Sequence, residues 1–314
     1  MAANWIRRTA LVAACASVAL LAACGSSTTA SALMPDHLIA FGDSYNAVTN
    51  ARYTVNNGSI NNWTLQLLDY YQKNGSASGG LVSYAEGNVR LSAHPDAAGA
   101  PATTTVSEQI DRFLAKQTPG ANDIILINGG ISDLLAGMAA VRAGTLTPTQ
   151  FVADAHQNGL ALAALVRKLV TAGAPHIVVS GSYNLGKTPW AKAIGQESLL
   201  SDASSRFNEA MLVAINDLGK NVLYLDSAYY VNLYVSAPSS FSFDDATTPV
   251  CTSVDAGNGI GIGAGQVNSA LCTQNTLLAG ASADKYVFAD QVYLTPSAHR
   301  QLGTYAYDKL RVRW

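Results

Sequence analysis

Leu38-Ile39-Ala40-Phe41-Gly42-Asp43-Ser44-Tyr45-Asn46 is a short apolar run that ends abruptly in glycine, aspartate and serine. Four apolar residues closed by a glycine read as a buried strand, with the polar residues falling where the strand gives way to a loop or helix. Ser44 is thereby delivered to the carboxyl edge of a sheet, which is where open α/β sheets bind their ligands. Asp43 and Ser44 also suit the start of the next helix, because both residue types are preferred caps. On this stretch alone both roles stay open.

Working outward, Ile60, Trp63, Leu67, Leu68 and Tyr71 recur at helical spacing until Asn74-Gly75 stops the run, so a helix is expected over 60–73. Residues 81–84 read as a second strand, 106–115 as a helix, and the almost wholly apolar 123–127 as a central parallel strand covered on both faces. Thr147-Pro148 opens a long helix that runs to Ala172-Gly173. A strand at 177–179, a helix at 196–218, a strand at 222–225 ending before Asp226, and a final helix opened by Thr295-Pro296 complete the series. Strands alternating with helices require crossover connections, and so predict an α/β three-layer sandwich: a central, mainly parallel sheet with helices on both faces. Residues 236–284 break the pattern. They lack periodicity and hold Cys251, Cys272 and the Gly257–Gly265 cluster, whose spacing fits neither a dinucleotide fingerprint nor a phosphate loop. A segment of that length suggests a stapled lid or flank, or a purely structural insertion.

Of 314 residues, 49% are hydrophobic and only 13% charged, with a formal net charge of −2. The chain can bury a large core, and with no basic patch a nucleic-acid partner has no electrostatic support.

Several stretches together resemble the GDSL, or SGNH, family of serine esterases and lipases. Gly42-Asp-Ser-Tyr45 looks like its opening block, Tyr84-Ala-Glu-Gly-Asn88 like the second, Gly130-Ile-Ser-Asp133 like the third, and Asp290-Gln-Val-Tyr-Leu-Thr-Pro-Ser-Ala-His299 like the last. Asn62-Trp63 and Gly186-Lys-Thr-Pro189 look like bacterial lipase-like members. The blocks follow the family's order and cover most of the chain after residue 35. The resemblance implies one domain over 36–314 with the flavodoxin-like SGNH fold, cleavage of carboxylic (acyl or lipid) esters through an acyl-enzyme at Ser44, and no metal or organic cofactor.

Acyl transfer by a serine needs a base, a group to orient that base, and donors for the developing oxyanion. The expected donors are the backbone N–H groups of Ser44 and Gly87, with Asn88 nearby, and the Ser132 hydroxyl where the family usually has an asparagine amide. Ser132 is also a rival nucleophile by position, although Gly130-Ile-Ser-Asp-Leu134 lacks the final glycine of a nucleophile elbow. Asp290 is expected to orient the base. The family's histidine is replaced by Tyr293, a phenol with an ordinary pKa near ~10 against ~6.5 for imidazole. His37, His156 and His176 fall away from Ser44, which leaves His299, at the start of the last helix, His94, in the loop after the second strand, or no histidine at all. His299 is the preferred base, and the alternative is a weak or inactive relative that binds an acyl or glycan ligand.

The first residues read as an address. Arg7-Arg8 and the apolar run 10–23 suit a signal peptide, and Leu21-Ala-Ala-Cys24 resembles a lipoprotein cleavage box. Residues 1–23 are then removed, Cys24 carries lipid, and 24–35 form a flexible tether, with Ser26 resembling cargo for the outer membrane. Export leaves Cys251 and Cys272 as an even pair that an oxidising compartment would join, a link worth ~3 kcal/mol in the chain-entropy model. Two lone cysteines with no third ligand nearby make a poor metal site.

Overall fold

The computed structural model describes residues 33–49, 52–75 and 79–314. The expected signal peptide, the lipidated Cys24 and most of the tether lie outside the described residues. Five strands, β1 (Leu38–Phe41), β2 (Leu81–Ser83), β3 (Ile124–Asn128), β4 (His176–Ser180) and β5 (Val222–Tyr224), form one sheet in the order β2-β1-β3-β4-β5. Every pairing is parallel, so the sheet is wholly rather than mainly parallel. All residues of β1 and β3 are buried, as apolar strands covered on both faces must be, while β2 and β5 at the edges are partly exposed.

Eight helices among the described residues cover the sheet: α1 (Trp63–Lys73), α2 (Val106–Leu114), α3 (Ile131–Arg142), α4 (Pro148–Thr171), α5 (Pro189–Ala193), α6 (Glu197–Ala214), α7 (Ser227–Ser236) and α8 (Pro296–Arg313). Helix α1 packs on α8, and α4 packs on α6. Their starts follow from cap chemistry. Thr105 and Thr147 close capping boxes with Glu108 and Gln150, and Thr295 caps α8 ahead of Pro296.

Some boundaries differ from expectation. Helix α1 begins at Trp63 rather than at residue 60, because the Asn62 side chain accepts from Thr64 N and fixes the start. Helix α6 ends at Ala214, and residues 216–218 form a separate 3-10 turn. Helices α3, α5 and α7 were not legible as helices, since α3 and α7 are apolar around most of their circumference and α5 is a single turn.

The insertion over 236–284 consists of 3-10 turns and isolated bridges. Cys251 and Cys272 are joined in a disulfide. It centres a small satellite core of Val55, Val250, Ala283 and Ala289, separate from the main one.

Candidate active site

Phe41 ends β1, and the chain turns at once so that Asp43, Ser44 and Tyr45 sit buried at the carboxyl edge of the sheet. Three neighbours hold this turn. Gln109 of α2 bonds both backbone groups of Gly42, accepting at 2.8 Å and donating at 3.1 Å. Asn62 donates to the Tyr45 carbonyl at 2.9 Å, and the Trp63 indole donates to Asn46 Oδ1 at 2.8 Å. The Asn62-Trp63 pair therefore positions the serine loop.

Ser44 is 1% exposed, and its Oγ accepts a hydrogen bond from the backbone N–H of Asn88 at 2.8 Å. The Tyr53 hydroxyl lies against Gly87, where an added Cβ would come within 1.9 Å of the phenol oxygen. Two phenols, Tyr53 and Tyr293, face the Ser44 hydroxyl, with ring centroids 5.2 Å apart. Burial pushes the Tyr53 phenol up to about 12 and Tyr293 well above the ordinary value, and the neighbouring Ser44 hydroxyl only partly offsets this. Both are proton donors at neutral pH. Tyr293 Oη makes no hydrogen bond of ordinary geometry, so its interaction with Ser44 is one of proximity.

Asp43 points away from solvent. Its Oδ1 accepts from Asn128 Nδ2 at 2.7 Å and from Tyr45 N at 3.0 Å, and the N–H groups of Ile131 and Ser132 at the start of α3 also support it. Burial still outweighs these bonds and raises its pKa. Ser132 is buried in the first turn of α3, with its hydroxyl unpartnered. Next to it, Asp133 accepts from Leu91 N at 3.0 Å and from Arg90 Nε at 3.4 Å, which ties the segment after Asn88 to α3. Burial raises Asp133 to about 6.

Asp290 is fully buried, but its oxygens serve the backbone. Oδ1 accepts from Val292 N at 2.8 Å and Tyr293 N at 2.6 Å, and Oδ2 from Ser269 N at 3.0 Å. His299 lies in the first turn of α8, 1% exposed, with its ring 5.4 Å from that of Tyr45 and its Nδ1 without a partner. Burial alone lowers its pKa to about 3. Among the described residues no hydrogen bond joins His299 to Ser44 or Asp290. His94 is exposed and sits 3.3 Å from Glu108. His37 and His176 meet Asp123 at the amino-terminal ends of β1 and β4, and His156 is exposed on α4. The structure brings together Ser44, Asn88, Tyr53 and Tyr293, and brings no histidine to Ser44 by a hydrogen bond. No group of three or more metal-ligating side chains occurs among the described residues.

Tyr53, Asn128 and Gln109 were not identified from sequence. Tyr53 lies in a polar stretch without periodicity, whereas Asn128, a lone amide closing an apolar strand, carried a readable signal.

A cavity of about 260 Å3 lies beside Asn88 and Tyr53, bounded also by Ala47, Glu86, Asp96 and Thr103. A serine thus lies buried at the end of the first strand of a parallel α/β sheet, with a backbone N–H on its Oγ and a cavity alongside. The GDSL-like lipase/acylhydrolase model matches residues 38–305, and the chain belongs to that family.

An uncharacterized Pseudomonas putida protein from the trpE-trpG intergenic region is 26% identical over 197 residues, which is 62% of this chain and 29% of that protein. The chain therefore spans less than a third of that relative. Similar solved structures include an aryl esterase of M. smegmatis (14% identity, 89% of this chain and 100% of that one, TM-score 0.48). A carbohydrate acetylesterase from Sinorhizobium meliloti (13% identity, 88% and 98%, TM-score 0.47) and a lipase/acylhydrolase from Enterococcus faecalis (10%, 88% and 96%, TM-score 0.44) are others.

Proposed function

We propose that this protein cleaves short acyl esters through an acyl-enzyme at Ser44. The observation that carries the reading is the Asn88 N–H, 2.8 Å from Ser44 Oγ, at the carboxyl edge of β1. A donor aimed at the nucleophile's oxygen lies within reach of the oxyanion that forms when that oxygen attacks a carbonyl. Ser44 Oγ bonds to the acyl carbon as the ester C–O bond breaks and the alcohol leaves with the serine proton; water then attacks the acyl carbon, the acid leaves and the proton returns to Ser44 Oγ. The adjoining cavity, at about 260 Å3, is below the ~300–1,000 Å3 usual for drug-sized ligands, which favours short acyl groups over long ones. Leu21-Ala-Ala-Cys24 and the Cys251–Cys272 disulfide support an exported, lipid-anchored protein of the cell envelope.

The test is release of p-nitrophenol from acetyl, butyryl and dodecanoyl esters by the domain starting after Ser31. Wild type should turn over the short esters and Ser44→Ala should not; equal rates for the two proteins would overturn the reading. The presence of Tyr293 where the family has histidine favours a second reading, in which the cleft binds an acyl or glycan ligand with little or no turnover.

A further inference from the structure

Each group that faces Ser44 is tied to the same loop, the one closed by the Cys251–Cys272 disulfide. Asn88 has a left-handed backbone, with φ 62°, and its side-chain amide donates to the Gly259 carbonyl at 2.8 Å. The loop grips the same segment twice more. Asn258 Nδ2 donates to the Ala98 carbonyl at 3.0 Å, and Gly261 passes so close to the Ala97 carbonyl that a Cβ there would come within 2.7 Å. Tyr53 is bracketed by Asn56, whose side chain donates to the carbonyls of Arg52 at 3.2 Å and Thr54 at 3.3 Å. Asn56 in turn donates its N–H to the Cys272 carbonyl at 2.9 Å and its amide to Ser269 O at 3.3 Å. Tyr293 is held through Asp290, which accepts from Tyr293 N and from Ser269 N.

We propose that the disulfide-closed insertion is the positioning element of this site: Gly259, Ser269 and Cys272 set the placement of Asn88, Tyr293 and Tyr53 around Ser44. The Asn88 amide is then a positioning group. It holds the left-handed conformation that aims its own N–H, a conformation rare for residues other than glycine, asparagine and aspartate. The glycine cluster at 257–265 also acquires a purpose, since its turns bring backbone carbonyls and Cα atoms against the 88–98 segment. Where it concerns turnover, the inference rests on the ester-hydrolase reading; where it concerns placement, it does not.

Hydrogen exchange read by mass spectrometry on the wild-type domain and on the Cys251→Ser/Cys272→Ser variant tests the placement directly. Peptides covering 52–57, 86–98 and 289–293 should exchange about tenfold faster or more in the variant, with β1, β3, α1 and α8 unchanged. Unchanged exchange in those three segments, or acceleration spread over the whole sheet, would overturn the proposal, the latter because the insertion would then add only general stability. A second readout uses Asn88. With a p-nitrophenyl ester, Asn88→Ala should lower kcat by about tenfold with KM little changed, and Asn88→Gly, which admits the same backbone conformation, should recover part of that loss. If wild type shows no turnover, the ester reading fails on its own, and the exchange experiment still decides whether the insertion positions the three groups.

Discussion

The backbone N–H of Asn88 donates to Ser44 Oγ at 2.8 Å, joining the loop after β2 to the loop after β1 across the carboxyl edge of the sheet. Among the described residues no imidazole hydrogen-bonds to the serine so held. Its other polar neighbours are two phenols that burial keeps protonated. Protonated phenols at the serine are donors rather than acceptors, and the behaviour expected of the site follows from that.

Proton acceptance by a phenol makes the rate climb with pH. With Tyr53 at about 12, kcat/KM should rise from pH 7 to pH 10 without levelling near pH 7, where an imidazole base would saturate. Replacing Tyr293, whose hydroxyl faces Ser44, by histidine should raise kcat about a hundredfold at pH 8 and introduce an inflection between about pH 6 and 7. A pH–rate profile for each protein checks both statements.

Tyr53 covers Ser44 and also borders the neighbouring cavity. Tyr53→Phe removes the phenol that accepts the serine proton and should slow labelling by a fluorophosphonate by about an order of magnitude, whereas Tyr53→Ala also widens the cavity and should lose less. Gel fluorescence over a labelling time course distinguishes the two.

Burial of His299 makes the stability of the fold depend on pH. An unfolded chain takes up a proton on this residue below about pH 6.5, whereas the buried native imidazole resists until about 3. Between those values the unfolded state binds more protons, so stability present above pH 6.5 is lost as pH falls, by a few kcal/mol in all (about 1.4 per pH unit). His299→Gln should flatten the acid side of a plot of urea midpoint against pH, relative to wild type.

Asp290 accepts three backbone N–H groups from two segments, and an amide can match only the side of its own oxygen. Asp290→Asn leaves at least one buried N–H facing another donor and should cost about 1–3 kcal/mol. Thermal unfolding with the disulfide intact measures the loss.

If Cys24 carries lipid, Cys24→Ser should move the protein from the membrane fraction to the soluble one without changing the specific activity of the domain. Cell fractionation with an activity assay reports both.

The sheet was legible because a parallel strand covered on both faces has to be continuously apolar, as 38–41 and 124–127 are. Capped helices were legible for the same kind of local reason, Thr147-Pro148 and Thr295-Pro296 being clear starts. Helices α3 and α7, apolar nearly all round, carried no period to read. At the site, Ser44 stood out because a polar residue directly after an apolar strand is a local signal. Tyr53 is placed by Asn56 and by contacts more than 200 residues away, at Ser269 and Cys272, and no local pattern encodes such an arrangement. The Asn88 N–H on Ser44 Oγ depends on a left-handed residue whose side chain bonds Gly259, 171 residues away, and no local pattern encodes that contact.

The most direct test of Ser44 as nucleophile is to trap the acyl-enzyme. The domain is mixed with p-nitrophenyl acetate, quenched in acid within seconds, digested and analysed by mass spectrometry. One acetyl group on the peptide that begins at Leu38, assigned by fragmentation to Ser44 and absent from Ser44→Ala, is the expected result. Turnover of the ester with the acetyl group on Ser132, or on no serine at all, would contradict it.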